Sequence, residues 1–212
     1  MKLKQILATV GLVALLRPIY RFTRAKYYLA FGRPKTQLEA TKARARRERE
    51  GFFDKYCQGK GLDIGYGGDL LTPDCQGWDY EHGDGTLLKG LKDESFDFVH
   101  TSHTLEHIPD AELALKNWWR VLKPGGFLII YLPHRDLYER RTTLPSRWNS
   151  DHKHFFLPDA DEPPDTLGLL PLVKRALPDC VVEYLKVCDE GHLVRNPDAR
   201  SEGEYSIETV LR

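Results

Sequence analysis

The sequence predicts an α/β fold built on a doubly wound, mostly parallel sheet. Three observations carry that reading. Residues 60–68 read KGLDIGYGG, a short apolar run with one central acid that enters three glycines within four positions. This is the pattern of a buried parallel strand ending in a tight turn. Residues 96–132 then run strand, turn, amphipathic helix and fully apolar strand, the order of a parallel sheet with crossovers. Finally, 212 residues at 41% hydrophobic content suffice for one such domain plus an appendage.

The appendage shows in the charge. Lys+Arg and Asp+Glu are equal at 31 each, yet residues 1–50 hold 13 Lys/Arg against 3 acids. The first 50 residues therefore carry +10 and the remainder −10, which divides the chain into a basic N-terminal extension, 1–50, and a main domain, 51–212. Residues 3–31 read as helical. Ile6–Leu16 is too short to cross a bilayer, and Arg17-Pro18 follows in place of a signal-peptide cleavage site. Tyr20, Phe22, Tyr27, Tyr28 and Phe31 alternate with Arg21, Arg24 and Lys26, which suits a helix lying in a lipid headgroup layer. Residues 1–31 are thus a candidate peripheral-membrane contact; packing on the domain or docking of a partner protein is the alternative. Residues 35–50 are polar and helix-prone and read as a solvated helix. The four cysteines have no metal-ligand spacing and read as reduced thiols of a cytoplasmic protein, peripheral at most to the inner face of a membrane. The acidic main domain argues against a nucleic-acid substrate.

Taken in order, Leu62–Ile64 is the first strand and Gly65–Gly68 its turn, where glycine lets a ligand approach the main chain. Gly77–Tyr80 closes a second strand, and Asp79 there suits the two hydroxyls of a ribose. Asp79 follows Gly65 by 14 positions and residue 70 is Leu, both against a dinucleotide fingerprint. Phe96–Thr101 alternates as a strand. Residues 110–122 form a helix with Asp110 as N-cap, and Phe127–Leu132 is the next strand. Leu167–Leu177 reads as a last helix.

The strings LDIGYGG, GWD, GDG, DESFDFVHTSHTLEHIPD and RVLKPGGFLIIYLP resemble the successive motifs of class I S-adenosylmethionine-dependent methyltransferases of the type 11 subgroup. That resemblance implies a Rossmann-like sheet closed by an antiparallel pair at Val181–Cys188 and Tyr205–Leu211. It implies S-adenosyl-L-methionine as cofactor, with Asp63, Gly65, Tyr66 and Gly67 at the methionyl end and Asp79 on the ribose. Asp84 with Gly85 would meet the adenine, and Thr101, Ser102 and His103 would lie near the sulfonium. Only residues 69–76 separate Gly68 from Gly77, so the first crossover helix must be very short or absent. Residues 133–158 look like methyltransferases that accompany glycosyltransferases of surface-polysaccharide synthesis, which implies a sugar or glycolipid hydroxyl as acceptor and a glycosyltransferase as candidate partner.

Moving a methyl group to a hydroxyl requires removal of a proton by a base or a metal. His107 and His134, with His103, are the candidate bases. His103, Glu106 and His107 also resemble the Glu-x-x-Glu-His cation site of ubiquinone-pathway O-methyltransferases, with His in the first place, so a divalent cation is a candidate. The alternatives to a glycan O-methyltransferase are a metal-assisted quinone O-methyltransferase and a non-catalytic cofactor-binding partner.

Overall fold

The computed structural model describes residues 39–212. The expected helix and membrane contact of residues 1–31 lie outside these residues. Two helices, α1 (Glu39–Arg49) and α2 (Phe52–Tyr56), precede the first strand. The strands follow as β1 (Gly61–Ile64), β2 (Gln76–Trp78), β3 (Phe96–Ser102) and β4 (Leu122–Pro133), with α3 (Ala111–Arg120) between the last two. Next come β5 (Phe155–Leu157), β6 (Thr166–Gly168), α4 (Leu169–Ala176), β7 (Val182–Cys188) and β8 (Ser206–Leu211). Among the described residues no helix is long and apolar enough to cross a membrane.

The main sheet has the order β2-β1-β3-β4-β8-β7. Its first four strands are parallel, with Leu62 opposite Val99 and Val99 opposite Leu128. Strand β8 runs antiparallel to both β4 and β7, the expected closing pair. Strands β5 and β6 form a separate parallel pair.

Side-chain alternation along the strands gives the sheet two apolar faces. Leu62, Ile64, Val99, Leu128, Ile130 and Leu132 pack with Ala114, Leu115 and Trp118 of α3 and Leu172 and Val173 of α4. Asp110 caps α3 as its sequence predicts, accepting from Leu113 N at 2.9 Å. Phe98, Ile129 and Val210 point the other way and meet Phe52 and Tyr56 of α2.

Residues 65–75 form turns rather than a crossover helix, and α1 helps to cover that face instead. The expectation of a solvated helix is corrected for Glu39–Arg49. Ala40, Ala43, Arg46 and Arg47 are buried, and Arg47 is fully enclosed. Its Nε donates to Glu208 Oε1 at 2.8 Å, and its guanidinium lies 5.0 Å from the centre of the Tyr131 ring. Arg46 pairs with Glu204 at 3.0 Å and with Glu208 at 2.8 Å. A helix this polar buries a face because Glu208 of β8 and Glu204, two residues before that strand, supply buried carboxylates.

The same helix braces the chain after the glycine turn. Thr41 N and Oγ1 donate to the Asp69 carboxylate at 2.7–3.0 Å, and Arg44 donates to Leu71 O at 2.9 Å. Removing Arg47 would leave Glu208 buried with half its partners gone. Arg47→Ala is expected to lower the unfolding free energy by about 3–5 kcal/mol, read as a lower urea midpoint at constant slope.

Candidate active site

The carboxyl ends of the parallel strands open on a cleft of about 710 Å³, within the range of small-molecule sites. At one end is the glycine turn. Gly65 has φ +70°, its N–H donates to Trp78 O at 2.7 Å, and an added Cβ would lie 2.1 Å from Thr104 Oγ1. Gly67 N donates to Asp79 Oδ2 at 3.2 Å, while Asp79 Oδ1 accepts from Tyr80 N at 2.7 Å. Asp79 is therefore fixed one residue beyond β2, against the turn that it was expected to serve. Asp84 and Gly85 line the opposite wall, and Gly85 O accepts from Trp118 Nε1 at 2.7 Å. Trp78 also lines the cleft, and its Nε1 is buried without a hydrogen-bond partner.

Four expected contacts do not line the cleft. Asp63 is fully buried on the α1 face of β1, where Oδ2 accepts from Leu71 N and Oδ1 meets His100 Nδ1, each at 2.7 Å. Its neighbours Leu62 and Ile64 take the opposite face, so alternation turns Asp63 away from the cleft. The Tyr66 ring covers Gly77, where an added Cβ would meet it at 2.6 Å. Thr101 is buried, and Ser102 offers its carbonyl to Thr104 Oγ1 at 3.1 Å. The next two residues take their place: His103, at φ +49°, and Thr104 both line the cleft.

The far end is built from side chains. His103 Nε2 meets Ser206 Oγ at 2.9 Å, and its ring lies 5.6–6.1 Å from those of Tyr131, Tyr138 and Tyr205. His107 lines the cleft on the short helical turn Leu105–His107. Behind it Glu106 is completely buried, and neither carboxylate oxygen has a hydrogen-bond partner. Burial pushes Glu106 up to about 7 and His103 and His107 down to about 4, in each case by disfavouring the charged form.

His152 joins this cluster from 45 positions after His107. It is brought in by Lys153 N and His154 N, which donate to Glu106 O at 2.6 and 3.3 Å. The sequence assigns His152 no role, since nothing local signals the long-range pairing.

The structure does not bring His134 to the cleft. Its Nδ1 accepts from Asp136 N at 3.1 Å, capping the turn Arg135–Glu139. The arginines of residues 134–156 are engaged within the protein. Arg135 pairs with Asp136 and Glu162, Arg140 donates to Pro197 O and Ala199 O, Arg141 to Pro145 O, and Arg147 to Asp198.

A side-chain-free turn beside a strand-end carboxylate, at the carboxyl edge of a parallel sheet, defines a Rossmann-like domain for a nucleoside cofactor. Residues 35–130 match the family model described as a methyltransferase domain. The fold is similar to that of an S-adenosylmethionine-dependent methyltransferase from Archaeoglobus fulgidus, 18% identical over 82% of this chain and 93% of that one, with a TM-score of 0.51. A stretch of 63 residues is 43% identical to demethylmenaquinone methyltransferase of Streptomyces griseus, covering 26% of this chain and 27% of the relative. A stretch of 48 residues is 46% identical to the enzyme of that name from Staphylococcus haemolyticus, covering 23% and 20%. These matches span about a quarter of the relatives' length at most. Residues 35–130 thus match a methyltransferase domain, set in a fold shared with an S-adenosylmethionine-dependent methyltransferase.

The cleft fits that cofactor on its own chemistry: main chain without side chains at one end, a carboxylate beside it, and an indole N–H awaiting an acceptor. Gly65→Ala would force a side chain against Thr104 and a left-handed conformation costing about 1–2 kcal/mol. Calorimetry with S-adenosylmethionine should then read an affinity lower by about tenfold or more.

Proposed function

We propose that this chain methylates a hydroxyl on a ring-shaped acceptor, with a quinol-type ring favoured over a sugar. The observation that carries the reading is one cleft joining the Gly65–Gly67 turn and Asp79 to His103 and His107. When bound, S-adenosylmethionine supplies an electrophilic methyl carbon on a positively charged sulfur, which keeps the bonding pair on transfer.

The residues divide the remaining work. The turn admits the methionyl end at Gly65 and Gly67, and Asp79 accepts the ribose hydroxyls. Asp84 and Gly85 hold the adenine side, with the Trp78 Nε1–H as a further donor. His103 borders the acceptor ring, backed by the buried rings of Tyr131, Tyr138 and Tyr205, and so helps to align its oxygen with the methyl group. His107 stands where the acceptor's proton must leave, with Glu106 behind it. A divalent cation at this end would serve the same purpose by lowering the pKa of the hydroxyl.

Two things support a quinol-type ring. One is the local similarity to enzymes named demethylmenaquinone methyltransferase, which bears on the kind of ring and not on which of its atoms takes the methyl group. The other is that Arg135, Arg140, Arg141 and Arg147, the cations that would suit a sugar phosphate, are engaged within the protein.

The test is transfer of labelled methyl from S-adenosylmethionine to quinol pools and, separately, to nucleotide-sugar and lipid-linked oligosaccharide pools. Label in the quinol fraction is expected; label in the sugar fraction alone would replace the acceptor. Tight cofactor binding without turnover on any pool would make the chain a non-catalytic partner. Asp79→Ala should raise the cofactor Kd by about ten- to a hundredfold through loss of charge-assisted hydrogen bonds. His107→Ala should lower kcat by roughly 10²- to 10⁴-fold while cofactor affinity stays unchanged.

A further inference from the structure

We propose that Glu106, His107 and His152, with Glu139 as an outer partner, form a binding site for a divalent cation of the zinc class. One donor atom from each of the three residues can be chosen so that all lie within 4.8 Å of one another. Glu106 Oε1 is 3.7 Å from His107 Nε2 and 3.9 Å from His152 Nε2. Two ligands held about 2.1 Å from one ion at a tetrahedral angle would be about 3.4 Å apart. The cluster therefore needs to contract by only a few tenths of an ångström along these two edges.

Glu106 is the independent sign that something belongs there. It is wholly enclosed, and neither of its oxygens accepts a hydrogen bond. A buried carboxyl group is normally satisfied by donors or by a cation. Among the described residues no side-chain donor supplies a hydrogen bond to it, and ring nitrogens of His103, His107 and His152 stand 3.7–3.9 Å from it.

The second sign is how His152 is held. Its Nδ1 lies 2.6 Å from Glu139 Oε1, so the proton sits on Nδ1 and Nε2 turns a lone pair toward Glu106. Glu139 is itself fixed by Ser146 Oγ at 2.7 Å and Arg147 N at 3.2 Å. A carboxylate on the far nitrogen of a histidine is the usual outer support of a metal ligand. Asp151 Oδ2 stands 3.7 Å from His107 Nδ1 and could support that ring in the same way.

The donor set chooses the ion. Two imidazoles and one carboxylate suit zinc and its neighbours, whereas magnesium and calcium favour oxygen. His103 is left out of the set: it meets Ser206 through Nε2, and its Nδ1 is 3.9 Å from Glu106. The site thus differs from the His103, Glu106, His107 group suggested by sequence spacing. Since His107 lines the cleft, an open coordination position would face the acceptor. The cation's part in methyl transfer rests on the proposed function, but its binding does not.

The test uses the full chain, stripped with a chelator and titrated with Zn²⁺ and then Mg²⁺ by calorimetry, with cofactor binding measured separately. Wild type should bind one equivalent of Zn²⁺ and bind Mg²⁺ at least a hundredfold more weakly. Glu106→Gln and His152→Ala should each lose Zn²⁺ affinity by a hundredfold or more. Glu139→Gln should weaken it by about 10- to 100-fold without removing a ligand. His103→Ala should leave it unchanged, and circular dichroism would verify that each variant is folded. Cobalt substitution should give the visible absorption of a low-symmetry site. Folded wild type without stoichiometric binding, or folded Glu106→Gln and His152→Ala with undiminished affinity, would overturn the site. Loss of cofactor binding in wild type would instead strike at the methyltransferase reading.

Discussion

The guanidinium–carboxylate network beneath α1 is the constraint on which the arrangement of the cleft depends. Arg46 and Arg47 reach Glu204 and Glu208 inside the protein, and Tyr131 OH adds a hydrogen bond to Glu204 at 3.0 Å. Such a network adds little over a well-packed apolar core, yet breaking one member strands a buried charge. It therefore specifies where α1 must sit more than how tightly it is held. It also runs on toward the site. Arg47 Nη2 approaches His100 Nε2 at 3.5 Å, His100 meets Asp63, and Asp63 accepts from Leu71 N. As arginine can only donate, His100 Nε2 accepts and its Nδ1–H faces Asp63.

That chain explains how the fold manages a short link between β1 and β2. A crossover helix ordinarily packs there and holds the loop that follows the first strand. Here residues 65–75 are turns, and α1 holds them from outside through Thr41 on Asp69 and Arg44 on Leu71. Asp63, at the centre of the glycine-rich motif, becomes a structural acid. The acid that faces the cleft is Asp79, held against Gly67.

The two ends of the cleft are built on different principles. The cofactor end relies on main chain and on the absence of side chains at Gly65 and Gly67, so local sequence specifies it closely. The histidine end relies on side chains from four separate places: His103, Glu106 with His107, Glu139 and His152. They meet because Lys153 and His154 hang from the Glu106 carbonyl and because β5 runs beside His134.

Periodicity and turn chemistry determined the parallel sheet, the bounds of α3 to within two residues, the glycine turn and the strand-end position of Asp79. Each depends on neighbours a few positions apart, which is the range over which backbone geometry and alternation act. Tertiary structure alone decided the rest. Whether α1 is solvated or buried depends on acids about 160 residues away, because a charged side chain enters a core only where its partner already waits. Whether Asp63 or Asp79 faces the cleft depends on which side of the sheet α1 covers. Whether His103, His134 or His152 stands beside Glu106 depends on where a loop is hung, and no spacing in the chain encodes that.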